Sequence, residues 1–210
     1  MRGKFITLEG TEGVGKSTNI AAIEKCLTHK GIEFISTREP GGTVLGEEIR
    51  DLLLNHRTES MDVMAELLLM FAARAQHISE KIQPALNKGI WVLCDRFTDA
   101  TFAYQGSGRG VDTRLIKTLA DLVQNELQPD LTIVLDIDPR IGLARVQKRG
   151  EKDRFETEAI EFFERVRRGY HAQIASQPER FCVVDASQNL EQVSEAIHEI
   201  MGAFITKNNA

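Results

Sequence analysis

Short apolar runs alternate with longer amphipathic stretches along this chain. The runs at residues 5–9, 33–37, 90–95, 131–136 and 181–185 are nearly continuous in apolar residues. Strands of that kind are buried on both faces, as in a parallel sheet flanked by helices. The helical patterns between them have readable starts. Asp138 before Pro139 is an N-cap followed by proline at the first helical position. Asn189 with Gln192 has the spacing of a capping box, and Asp112 caps a helix through Val123. The longest pattern covers residues 61–87, with Met64, Leu67, Leu68, Phe71, Ala75, Ile78 and Ile82 along one stripe, and Gly89 stops it. By spacing alone Phe71 is a core residue. No internal repeat, low-complexity segment or long linker breaks this order. The 210 residues therefore suit one α/β domain with room for a small lid.

The first strand runs into Gly10-Thr11-Glu12-Gly13-Val14-Gly15-Lys16-Ser17, and a helical pattern opens at Lys16, continuing through Thr18. A G-x-x-x-x-G-K-[ST] run between strand and helix is a phosphate cradle. Glycines let successive N–H groups turn inward at an anion, and the helix adds its positive end. Lys16 can reach the β- and γ-phosphates, and the Ser17 hydroxyl can ligate Mg²⁺. Glu12 places a carboxylate inside this anion site, so it must face a sugar hydroxyl, the metal or solvent.

Three more groups fall at the carboxyl ends of strands, where parallel sheets place ligands. Arg38-Glu39-Pro40-Gly41-Gly42-Thr43 is a tight corner carrying an arginine suited to a phosphate. Asp95-Arg96 supplies an acid to position Mg²⁺ and a second cation. Arg145, Lys148, Arg149, Lys152 and Arg154 form a basic segment, which reads as a solvated helix face or as a lid bringing cations to a transferring phosphoryl group. Phe71 and Arg74, three apart on the long helix, could stack a base and read its carbonyl edge.

Net charge is −5, which recommends neither nucleic acid nor an acidic membrane as partner. The three cysteines, Cys26, Cys94 and Cys182, form no disulfide framework or zinc site; Cys94 and Cys182 sit in apolar runs, where a buried thiol is expected. The N-terminus lacks the apolar region of a signal peptide and no apolar run approaches 18 residues, so a cytoplasmic protein is expected. No guanine-reading Asn-Lys-x-Asp and no His-Arg-Asp kinase loop is present. What remains is an ATP-using protein with arginines on more than one side of the phosphates. That arrangement suits a nucleoside monophosphate as acceptor, a dianion that needs no general base. A kinase for another nucleotide and a slowly hydrolysing nucleotide-gated module are the alternatives.

These motifs resemble those of the bacterial thymidylate kinases from end to end. The resemblance rests on residues 10–18, 37–43, Phe71-Ala72-Ala73-Arg74, Asp95-Arg96-Phe97, Ala103-Tyr104-Gln105-Gly106, residues 149–154 and Val184-Asp185-Ala186. It implies a five-stranded parallel sheet with helices on both faces, of the P-loop nucleotide kinase type, and a lid near residues 145–156. It implies γ-phosphate transfer from ATP to dTMP with Mg²⁺, and a homodimer. By resemblance Glu12 holds the acceptor 3′-hydroxyl, Arg38 and Arg96 its 5′-phosphate, and Phe71 stacks on thymine while Arg74 binds O4. Tyr104 lies beside the 2′ position, Thr101 and Gln105 near the base, and Arg145 packs on adenine. Some relatives carry an arginine in the phosphate loop where Gly13 stands here. The form resembled is therefore the one whose catalytic arginine comes from the lid, Arg154 or Arg149. The commoner Asp-Arg-Tyr is Asp95-Arg96-Phe97 here, and two frequent serines are Ala100 and Thr101.

Overall fold

β1 (Phe5–Gly10) is buried along its whole length, the expected fate of a continuous apolar run placed mid-sheet. It opens through the phosphate loop into α1 (Lys16–His29). The computed structural model describes residues 2–56, 58–147 and 153–208. The remaining strands among them are β2 (Phe34–Arg38), β3 (Trp91–Asp95), β4 (Leu131–Asp136) and β5 (Phe181–Asp185). All pair in parallel, in the order β2-β3-β1-β4-β5. Continuous burial holds for β1, β3 and β4 but not for the edges. β2 is half-buried, and β5 exposes Val183 and leaves Cys182 partly accessible. The expected burial of Cys182 is thus corrected, because an edge strand has a neighbour on one side only.

The order places β1 between β3 and β4, so the connections out of β1 and out of β3 run to opposite sides at the carboxyl ends of these strands. Such a switch point opens a crevice there. The helices α2 (Val44–Leu54), α6 (Thr113–Gln124), α7 (Pro139–Gln147), α8 (Ile160–Ser176) and α9 (Leu190–Asn208) pack around the sheet. One apolar cluster joins β1, β3 and β4 to α1 and α9, and another joins β1 and β3 to the helices on the opposite face.

The three caps read from sequence form. Asp112 Oδ1 accepts from Arg114 N–H and Asp138 Oδ1 from Arg140 N–H. Asn189 and Gln192 exchange side-chain to backbone bonds in both directions. The long helical pattern is α3 (Val63–His77), a π-helical stretch over Ile78–Ile82, and α4 (Gln83–Asn87). Asp62 caps it, accepting from Met64 and Ala65 N–H. The predicted stripe is buried at Leu67, Phe71, Ile78 and Ile82, whereas Met64, Leu68 and Ala75 are exposed. A short α5 (Thr98–Thr101) after β3 continues into a π-helical stretch over Phe102–Gly108, which α8 covers.

Candidate active site

A cleft of about 440 Å³ lies over the carboxyl ends of β1, β2 and β3, within the size range of ligand sites. One wall is the phosphate loop. Gly10, Gly13 and Gly15 all have positive φ, which turns successive N–H groups one way into a nest for an anion. Lys16 Nζ folds back on the loop, donating to Thr11 and Gly10 carbonyls at 3.1 and 3.4 Å. Burial, and secondly the nearby Arg96, lower the Lys16 pKa, while Glu12 and Asp95 oppose that fall. Ser17 and Thr18 also line the cleft, whereas Val14 is turned down into the core. Gly13 is packed against the backbone of α7. A Cβ there would overlap the Gly142 carbonyl, and a Cβ on Gly142 would overlap the Glu12 carbonyl. Two glycines thus let the loop and the helix leading toward the lid touch backbone to backbone.

Beside the loop, and bonded to it, stands Arg96. Its φ of 71° is a conformation that residues other than glycine rarely adopt and that clusters at functional sites. The guanidinium donates to Gly10 O at 2.8 Å, Tyr170 Oη at 3.1 Å and Glu12 Oε1 at 2.7 Å. It also lies 4.8 Å from the Tyr104 ring centroid. Glu12 accepts the Tyr104 hydroxyl at 2.8 Å. Glu12 Oε1 is therefore turned to Arg96 and Tyr104, while Oε2 stays 4.0 Å from Lys16 Nζ. Behind Arg96, Glu9 accepts Phe97 N–H at 2.7 Å and the Tyr170 hydroxyl at 2.8 Å. Burial, then the Asp99 charge, push Glu9 up to about 8 against the opposing pull of Arg96.

Arg38, Arg74, Asp95, Thr101, Gln105 and Arg145 all line the same cleft, so residues far apart in sequence converge as expected. Arg38 is paired with Glu47 at 2.8 Å. Asp95 Oδ1 is buried and has no hydrogen-bond partner among the described residues. Arg145 reaches across to the Ala186 carbonyl at 3.2 Å. Arg50 and Met70 join the lining without having been singled out from sequence. Arg50 donates to the Pro40 carbonyl at 2.7 Å, which gives the acceptor wall another cation. Its signal was its position on α2, immediately after the Arg38 corner.

Two expectations are corrected. Phe71 is 3% exposed and packs with Leu67, Ile116 and Ala120, so it does not face the cleft as a base platform. Its ring instead supports the Arg74 guanidinium, 5.0 Å from the centroid. Met70 lines the cleft in its place, four residues before Arg74, because helical neighbours four apart share a face. Arg154 does not point toward the phosphate loop. Nη2 donates to the buried Glu66 at 2.6 Å and Nε to Leu53 O at 2.8 Å. Arg149, the other lid candidate, lies outside the described residues with Lys148 and Lys152.

A sequence model of the family described as "Thymidylate kinase" matches residues 8–197. Among curated proteins, the chain is 57% identical to the thymidylate kinase of Teredinibacter turnerae over 205 residues, covering 98% of this chain and all of that protein. It is 54% identical to the thymidylate kinase of Hahella chejuensis, over 96% of this chain and 97% of that one. The thymidylate kinase of Pseudomonas entomophila shares 52% identity over 99% of both chains.

Proposed function

The chain belongs to the thymidylate kinase family, and on that premise we propose which of its residues hold the two nucleotides while it phosphorylates dTMP to dTDP with ATP, in dTTP synthesis. The observation that carries the assignment is that Lys16 and Arg96 meet in one cleft, both donating to the Gly10 carbonyl, at 3.4 and 2.8 Å. That gives a cation to each of two anionic reactants brought face to face.

The donor side is the nest of Gly10, Thr11, Glu12, Gly13, Val14, Gly15, Lys16, Ser17 and Thr18, with Arg145 against adenine. Backbone N–H groups and Lys16 take the β- and γ-phosphates. The acceptor side is Arg38, Arg50 and Arg96 on the 5′-phosphate, Glu12 on the 3′-hydroxyl and Tyr104 beside the 2′ carbon. Arg74, Thr101 and Gln105 hold the base edge, and Met70 covers the base face. A dianionic phosphate acceptor needs no general base. The residues overcome repulsion, align donor and acceptor, and keep water from the γ-phosphoryl group. Arg149 is the lid cation that closes on that group, since Arg154 is engaged by Glu66.

Mg²⁺ fits this site. Ser17 and Asp95 would hold it, and the unpartnered Asp95 Oδ1 is an oxygen suited to a metal or its water. Mg²⁺ is commonly bound through one or two carboxylates plus substrate phosphates. When bound, Mg²⁺ supplies charge neutralisation at the β- and γ-oxygens.

The chain acts as one domain, with residues 145–156 as its lid. Among the described residues no helix is long and apolar enough to cross a membrane, and ATP as donor suits the cytoplasm. A homodimer would cover the apolar side chains exposed on neighbouring α2, α3 and α6, including Leu45, Leu68 and Leu122.

Binding measured by calorimetry tests this division between donor and acceptor residues. Arg96→Ala is expected to weaken dTMP about a hundredfold and to leave ATP binding within about threefold. Equal loss of both would contradict it.

A further inference from the structure

Arg74 is held on several sides before any ligand arrives. Its guanidinium carbon lies 5.0 Å from the Phe71 ring centroid and 5.1 Å from that of Phe97. Nε donates to Glu39 Oε2 at 2.7 Å and Nη2 to Thr101 Oγ1 at 3.0 Å. Nη1 is buried and has no partner among the described residues. One nitrogen of an otherwise engaged arginine is thus left without a partner in a residue that lines the cleft.

The support continues behind Glu39. Its second oxygen, Oε1, is 2.9 Å from His77 Nδ1, and His77 Nε2 is 2.8 Å from Thr37 Oγ1. A carboxylate can only accept, so Nδ1–H donates to Glu39. Nε2 and the Thr37 hydroxyl form the second hydrogen bond of the relay. His77 is 0% exposed, and neither it nor Thr37 lines the cleft. Gly42 closes over the pair. A Cβ there would stand 2.5 Å from His77 Nε2 and 2.6 Å from Thr37 Oγ1, at a φ of +84°. The relay therefore lies directly under the corner that carries Arg38.

We propose that Thr37, His77 and Glu39 are positioning residues that fix Arg74 and thereby set the choice of acceptor base. The inference rests on the reading of Arg74 as a ligand of the base edge. With Nε and Nη2 engaged, Nη1 is the nitrogen left without a partner, and it is the one offered to the base. A pyrimidine with a carbonyl at position 4 satisfies it. One with an amino group there sets donor against donor and leaves both unpaired in a dry site. Sites built to hydrogen-bond discriminate strongly for this reason. Cutting the relay frees one Glu39 oxygen, lets the carboxylate turn, and gives the guanidinium a second orientation that tolerates the amino group. His77 acts through Glu39, as outer partners act through a first ligand.

The test measures kcat and KM for dTMP and dCMP, and KM for ATP, in His77→Phe, Thr37→Val and Arg74→Ala. His77→Phe keeps the ring volume and removes both nitrogens. It is expected to raise the dTMP KM about tenfold and to lower the dTMP-to-dCMP ratio of kcat/KM by about tenfold or more. The ATP KM and the kcat at saturating dTMP should stay within about twofold. Thr37→Val is expected to act in the same direction by about threefold. His77→Gln, which can still donate to Glu39, is expected to recover part of the ratio. A folded His77→Phe or Thr37→Val protein with an unchanged ratio would overturn the relay. So would uniform loss across both acceptors and ATP. If His77→Phe fails to fold, Thr37→Val decides. If Arg74→Ala itself leaves the ratio intact, the base-edge reading is what fails.

Discussion

Arg154 is bonded to Glu66 at 2.6 Å, and Glu66 is 1% exposed. Glu66 also takes Gln105 at 2.9 Å and Arg109 at 3.3 Å. Arg154 therefore ties the chain before α8 to α3 and supports the residue that holds Gln105. Arg154→Ala is expected to lower stability by about 2 kcal/mol, part of the cost of breaking a buried pair, because Arg109 remains. Arg149→Ala is expected to leave the melting temperature unchanged and lower kcat about a hundredfold or more. Thermal melts and steady-state rates on both variants separate the roles. A rate loss confined to Arg154→Ala, with normal stability, would reverse the assignment.

The contact of Gly13 with Gly142 yields a second expectation. Gly142→Ala directs a methyl group at the Glu12 carbonyl, and helix and loop must part to admit it. Overpacking of this kind costs about 1–3 kcal/mol. Because the displaced element is the phosphate loop, ATP affinity should fall along with the melting temperature. Calorimetric ATP titration checks this, and unchanged ATP affinity in a destabilised protein would show that the contact is only structural.

Asp95→Asn keeps the shape of the strand end and removes its charge. The expected result is a strong rise in the Mg²⁺ concentration needed for half-maximal rate, with ATP binding in the absence of metal unchanged or tighter. A Mg²⁺ dependence identical to the unaltered protein would remove Asp95 from the metal's surroundings.

Burial holds the Glu9 carboxyl at about 8, above its ordinary value of 4.5. The folded state thus binds this proton more tightly than the unfolded chain. The contribution to stability is fully present below pH 4.5 and is lost as pH rises through about 8. Glu9→Gln is neutral throughout. The stability of the unaltered protein relative to Glu9→Gln should therefore fall by a few kcal/mol, in order of magnitude, between pH 5 and 9. Urea unfolding at several pH values measures it, and parallel pH profiles would contradict it.

Much of this was legible in the sequence because the signals are local. The phosphate loop, the caps at Asp112, Asp138 and Asn189, and the five strands each depend on residues adjacent in the chain. Sequence reading failed where a side chain's direction depends on tertiary packing. Phe71 and Met70 are both apolar and adjacent, and only the docking of α6 against α3 decides which one turns into the core. Arg154 looked free in a basic run because its partner, Glu66, is 88 residues away. The relay through His77 was invisible for the same reason, since its members come from β2, the corner after it and the end of α3.

The most direct measurement is ADP release from Mg·ATP by the full chain with a panel of nucleoside monophosphates. dTMP is expected to stimulate release far beyond every other acceptor, with one ADP formed per dTDP. A rate that stays slow with every nucleotide, or that is highest with a different acceptor, would contradict a cleft built to set ATP against dTMP.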